Sequence, residues 1–241
     1  MTESEIRQHD NAEALASDVA ERLLVVLRDA QAAGRTPHLA LTGGSIADKI
    51  HAAVARVAAH SAVDWKNVVF WWGDERFVAA DDPDRNAVQA RTALLDALDV
   101  EPANVHEMPS TATASSPDQG AAAYGQEMRD RGSGEFDVVM LGVGPDGHVA
   151  SLVPGFAQLD VDDQIAVGVT DSPKPPPDRI SLTYAALNRS REVWLVVSGA
   201  EKADAVARAL SGADLHDVPA AGVHGRKSTV WFLDTPAASR L

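Results

Sequence analysis

Apolar positions in this chain switch between helical spacing and short unbroken runs. In residues 11–33, Leu15, Val19, Leu23, Val26 and Leu27 share one helical face while Glu21, Arg22 and Arg28 lie off it. This predicts an amphipathic helix that stops at Gly34. Residues 38–42 predict a buried strand, Gly43-Gly44-Ser45 a turn, and Ile46, Ile50, Ala53, Val54 and Val57 the next helix. Residues 68–72 are again strand-like, and Asn86 reads as the N-cap of a helix carrying Val88, Leu94, Leu95 and Leu98. A Thr-, Ala-, Ser- and Pro-rich loop over 109–117 ends in Ser116-Pro117, a cap followed by proline at the first helical position. The helix it opens should run to about Arg131, before Gly132-Ser133-Gly134. Further strands are predicted at 137–141, 165–170, 179–183, 193–197 and 229–233, with a helix over about 200–210.

Strands that alternate with helices and are apolar along their whole length imply an α/β fold, with a mostly parallel sheet and helices on both faces. No internal repeat and no long linker interrupts the pattern, so a single domain over 1–241 is expected. Hydrophobic residues at 45% and charged residues at 23% are ordinary for a globular chain. The absence of cysteine excludes disulfides, thiolate nucleophiles and Cys-ligated zinc, and fits a reducing compartment. The N-terminal residues lack the basic-then-apolar layout of a signal peptide, and no apolar run approaches the ~20 residues that span a bilayer. The expectation is a soluble, cytoplasmic protein without a membrane partner.

Net charge changes the picture more. At −14, with no basic stripe, the chain is not expected to bind nucleic acid. If its ligand is anionic, the few cations that hold it must converge on one pocket, which makes each basic position informative.

Ligands of open α/β sheets bind beyond the carboxyl ends of the strands, and four segments follow predicted strands there. Gly43-Gly44-Ser45 is either a tight turn capped by Ser45 or a phosphate loop, whose glycines admit close approach to free N–H groups at a helix start. Asp74-Glu75-Arg76 offers a guanidinium fork for phosphate, with carboxylates to hold it, or else is a solvated charged turn. Gly142-Val143-Gly144-Pro145-Asp146-Gly147 matches G-x-G-x-x-G in form, but Pro145 interrupts it and Pro154-Gly155 ends any following helix too soon for a dinucleotide site. What remains is a glycine-rich loop presenting His148, a residue type suited to activating water, with Asp146 placed to orient it. Lys202, in the first turn of a predicted helix, opposes the helix dipole, as it would if an anion bound there. Arg179 starts a strand behind Lys174-Pro175-Pro176-Pro177. The remaining histidines show no metal-ligand spacing, and no G-x-S-x-G elbow is present, so neither a metal site nor a serine esterase is expected.

Leu41-Thr42-Gly43-Gly44-Ser45, Trp72-Gly73-Asp74-Glu75-Arg76, the block from Gly142 through Asp146-Gly147-His148 to Pro154-Gly155, and Ser172-Pro173-Lys174-Pro175-Pro176-Pro177-Asp178-Arg179-Ile180 occur in that order. Together they resemble the short, single-domain members of the glucosamine-6-phosphate isomerase/6-phosphogluconolactonase family, from about Leu15 to Trp231. The resemblance implies a Rossmann-like fold and hydrolysis of a phosphorylated sugar lactone, 6-phospho-D-glucono-1,5-lactone, in the pentose phosphate pathway without a cofactor. It makes His148 the general base and Gly43, Gly44, Ser45, Arg76, Lys202 and, more loosely, Arg179 the substrate and phosphate contacts; the chemistry of the residues themselves adds Asp146, to orient His148, and Asp74, beside Arg76. One departure is Ile46-Ala47, where relatives commonly continue Gly-Gly-Ser with Thr-Pro. The deaminase branch typically carries a carboxylate soon after the His, where this chain reads Ala150-Ser151-Leu152-Val153. A sugar-phosphate sensor would normally accompany a DNA-binding module, for which there is no room before Leu15.

Overall fold

A computed structural model describes residues 4–241. Six strands form a parallel sheet: β1 (Ser4–His9), β2 (His38–Leu41), β3 (Val69–Trp72), β5 (Val138–Leu141), β8 (Glu192–Val197) and β9 (Ser228–Asp234). Their order across the sheet is β1-β9-β8-β5-β2-β3, parallel throughout. The helices are α1 (Ala12–Ala32), α2 (Ser45–Ala58), α3 (Asn86–Ala93), α4 (Pro117–Arg131), α5 (Tyr184–Leu187) and α6 (Ala203–Leu210). This is the Rossmann-like α/β fold expected from the alternation. Among the described residues no helix is long and apolar enough to cross a membrane.

The connections from β1 to β2 and from β2 to β3 run one way across the sheet; those from β3 to β5, β8 and β9 run back. Right-handed crossovers therefore place α1 and α2, which pack together, on one face and α4 on the other. The direction reverses between β2 and β5, so a crevice opens beyond their carboxyl ends.

The core is aromatic as well as aliphatic, with Phe70, Trp71, Trp72, Trp194 and Phe232 fully buried. On α4 the Tyr124 hydroxyl accepts from the Trp72 N–H at 3.0 Å, satisfying backbone at the end of the edge strand β3. The Ser116-Pro117 start of α4 forms as predicted, with the Ser116 hydroxyl accepting from Gln119 N–H.

Several local expectations are corrected. β1, for which the sequence pattern sets no expectation, carries only one aliphatic residue, Ile6, and forms because β9 offers it a full parallel register. The residue before α3 is Arg85, not Asn86, and Arg85 offers no side-chain cap; the Glu75 carboxylate takes that role, accepting from Asn86 N–H at 2.7 Å and Ala87 N–H at 2.9 Å. Ser45 is not an N-cap either: Gly44 precedes α2, and Ser45 is its first residue. The segment after β8 opens as a 3₁₀ turn, Ala200–Lys202, before α6 begins.

The largest difference is a second sheet. β4 (Asp74–Arg76), β7 (Arg179–Leu182) and β6 (Ala166–Val169) pair antiparallel in the order β4-β7-β6 and pack against α4. The runs at 165–170 and 179–183 are thus strands outside the parallel sheet, and Asp74-Glu75-Arg76 is a strand rather than a turn.

Candidate active site

The crevice between β2 and β5 is a cavity of about 290 Å³, lined by Gly43, Gly44 and Ser45 from one loop and by Gly142, Gly144 and His148 from the other. Gly44 has φ +93°, a conformation that strains any other residue, and leaves the first turn of α2 without a side-chain cap. The N–H groups of that turn and the positive end of the helix dipole thus face the cavity as an anion site. Gly43 is required for a different reason: a Cβ there would overlap the Asn86 carboxamide.

In the second loop, His148 Nδ1 lies 2.6 Å from Asp146 Oδ1, and that carboxylate also accepts from the His148 N–H at 3.3 Å. Burial alone would raise the Asp146 carboxyl, but the hydrogen bonds and charge of His148 outweigh it and hold Asp146 at about 2. With Nδ1 donating to an ionised carboxylate, Nε2 is the nitrogen left to take a proton. The loop is built around this pair: Gly144 N–H donates to His148 O at 2.9 Å, and a Cβ on Gly144 would overlap both the imidazole and the Asp146 carboxylate.

The small sheet supplies charge. Arg76 and Arg179 face each other directly in the β4–β7 register, and both line the cavity. Like charges opposite one another are unfavourable unless an anion lies between them. Arg76 is steered by Asn86 Oδ1 and by Asp84 O at 2.8 Å, and Asn86 Nδ2 is itself tied to Asp74 O at 2.8 Å. Behind them sits Glu75, fully buried, accepting also from Arg76 N–H at 2.8 Å and facing Arg85 Nε at 3.5 Å. Burial pushes the Glu75 carboxyl up, against the pull of these donors.

Asp74 and Arg179 line the cavity as expected, but their side chains are largely committed elsewhere. Asp74 Oδ2 accepts from Ser151 Oγ at 2.7 Å, fastening the loop after His148 to β4. Arg179 Nε donates to Pro176 O at 3.1 Å, and its Nη2 to Lys174 O at 3.1 Å and Pro175 O at 3.4 Å. It therefore fixes the loop that carries Lys174. Lys174 and Lys202 both reach the cavity, and burial together with Lys174 lowers the Lys202 ammonium from its usual range.

Eight of the nine side chains or backbone positions singled out in the sequence line this one cavity, and the ninth, Asp146, holds His148 from behind. Lys174, Asn86, Thr42, Ser198 and Glu201 join them without having been singled out. Lys174 stood in a quoted motif, and the rule that cations of an acidic chain must converge would have found it; Asn86 was misread as a cap. Among the described residues, none of Arg76, Lys174, Arg179 and Lys202 has a carboxylate within 4.0 Å, and no group of three His, Asp or Glu side chains could hold a metal ion. Four unpaired cations in one cavity, on a chain of net charge −14, fit a doubly charged anion such as a phosphate monoester.

Residues 10–231 match the family of glucosamine-6-phosphate isomerases and 6-phosphogluconolactonases. The chain is 45% identical to a 6-phosphogluconolactonase of Streptomyces coelicolor, covering 97% of this chain and 93% of that one. It is 41% identical to one of Mycobacterium tuberculosis, covering 99% and 98%. Among solved structures, 6-phosphogluconolactonase from Trypanosoma brucei superposes with a TM-score of 0.86 at 26% identity, over 99% of this chain and 98% of that one.

Proposed function

The chain belongs to the glucosamine-6-phosphate isomerase/6-phosphogluconolactonase family, and from that premise we propose that it hydrolyses 6-phospho-D-glucono-1,5-lactone to 6-phosphogluconate, a step of the pentose phosphate pathway, with water activated by His148. The single observation that carries this reading is the placing of the Asp146–His148 pair in the same cavity as four unpaired cations and an uncapped helix start. The enzyme is a carboxylic ester hydrolase that acts on a phosphorylated sugar lactone.

The substrate phosphate lies among the N–H groups at the start of α2 and the neighbouring cations. This directs the lactone carbonyl towards His148. Asp146 keeps the Nδ1 proton in place, so Nε2 removes a proton from water as its oxygen attacks C1. The oxyanion that forms is stabilised by loop N–H groups or a nearby cation. The tetrahedral intermediate then breaks its C1–ring-oxygen bond, and the imidazolium returns the proton to the departing ring oxygen. The products are an open-chain acid and a neutral His148.

Freshly generated phosphorylated lactone, followed through coupled 6-phosphogluconate dehydrogenase with spontaneous hydrolysis subtracted, tests the reading. Turnover well above background, and much slower turnover of unphosphorylated gluconolactone, is the expected result. No rate above background would overturn it and direct the search to glucosamine 6-phosphate.

A further inference from the structure

A second, smaller cavity of about 60 Å³ lies at the opposite, amino-terminal end of the parallel sheet. Met128, Phe136 and Ile165 give it apolar walls, beside Trp71, His38 and Arg189. It is far too small for a phosphorylated hexose, and none of these residues belongs to the catalytic cavity.

Its polar groups are arranged for a ligand. His38 is only 6% exposed, and its Nδ1 accepts from the Trp71 indole N–H at 3.1 Å. Because an indole only donates, the proton of the neutral ring must sit on Nε2. Burial lowers the His38 pKa against the pull of Asp137, which keeps the ring in this neutral form. Nε2 makes no hydrogen bond among the described residues and keeps solvent contact, so its N–H is free to donate to a ligand. Arg189 is exposed and likewise has no side-chain hydrogen bond or ion pair among them. Its Nη2 stands 3.5 Å from where a Cβ on Gly134, another wall residue, would lie. The one carboxylate on this rim, Glu135, is already engaged by Arg191 at 3.3 Å and Arg226 at 3.7 Å. Asp137 nearby is paired with Arg35.

We propose that this cavity is a binding site for a short-chain monocarboxylate, its carboxylate held between His38 Nε2–H and the Arg189 guanidinium and its alkyl tail against Met128, Phe136 and Ile165. A neutral ring donor, one free guanidinium and an apolar chamber of a few heavy atoms match one negative charge with a small hydrocarbon tail. The site is independent of the lactonase reading, since His38 and the phosphate loop lie at opposite ends of β2.

Propionate titrated into the full chain near neutral pH, followed by two-dimensional NMR, tests it. Saturable shifts of the Trp71 indole and Gly134 amide are expected, unaffected by saturating 6-phosphogluconate. The Arg189→Gln protein should bind about tenfold more weakly, while its lactone hydrolysis and melting temperature stay at wild-type values. Propan-1-ol, lacking the charge, should bind more weakly than propionate. Absence of a saturable shift at Trp71, shifts confined to the Gly43 and Gly144 amides, or unchanged affinity in Arg189→Gln would each overturn the assignment.

Discussion

In the parallel sheet the buried strand positions are mostly Val, Leu, Trp and Phe, its buried acids Glu192 and Asp234 stand at strand ends, and the loops beyond the strands give the cavity glycines, N–H groups, Lys202 and the Asp146–His148 pair held in place by a glycine. In the three-stranded sheet the buried positions include Asp74, Glu75, Arg179 and Ser181, and its contribution to the cavity is charge. Between their ends, parallel strands covered on both faces cannot carry ions cheaply, because an unpaired buried charge costs several kcal/mol. A short antiparallel sheet at the margin can, provided each ion finds partners, as Glu75 does in three backbone N–H groups and Arg85. Under the proposed function, the larger sheet would set where the substrate lies and the smaller one add charge to meet its phosphate.

Gly144→Ala should break the first contribution most severely. Its Cβ would displace His148 and Asp146 together, lowering kcat by ~100-fold, the scale of lost general-base catalysis, with the circular dichroism spectrum retained. A near-normal kcat would mean that the pair is not held as described. Glu75→Gln attacks the second sheet: replacing one carboxylate oxygen by an NH2 that cannot accept leaves a buried N–H of Arg76, Asn86 or Ala87 without a partner and should cost about 2 kcal/mol, read as a melting temperature lower by several degrees.

The Arg179–Lys174 relation is sharpened by a double-mutant cycle. Lys174→Met and Arg179→Met should each raise KM about tenfold, and the double mutant should fall short of the additive, roughly hundredfold effect, because Arg179 both lines the cavity and holds the Lys174 loop. Independent, additive effects would mean that Arg179 does not act through the Lys174 loop. The smallest effect is on acid stability. Asp146 is depressed to about 2 from an unfolded value near 3.9, so its pairing with His148 stabilises fully above about pH 4 and is lost as the pH falls towards 2. Asp146→Asn should remove that slope from an acid-denaturation profile.

The parallel sheet was legible because its strands are unbroken apolar runs and its helices have helical spacing, as in residues 12–32 and 117–131. β1 was not, because a polar strand such as Ser4–His9 is defined by its neighbour rather than by its own pattern. The antiparallel pairing of β4 with β7 was hidden for a related reason: Asp74, Glu75 and Arg76 look like a surface turn until Asn86, Arg85 and Ser151 are brought to them from distant positions. Most of the cavity was visible because loops after strands and scarce cations are local signals. The steering of Arg76 by Asn86 and of the Lys174 loop by Arg179 is not local, and no spacing in the sequence records it.

The most direct test of the central claim, that His148 activates water in a cavity built for a phosphorylated lactone, is steady-state hydrolysis of 6-phosphogluconolactone by the wild type and His148→Ala side by side. The account predicts a kcat at least ~100-fold lower in the mutant, with KM changed little, because the phosphate contacts remain. A mutant with near-normal kcat would contradict it.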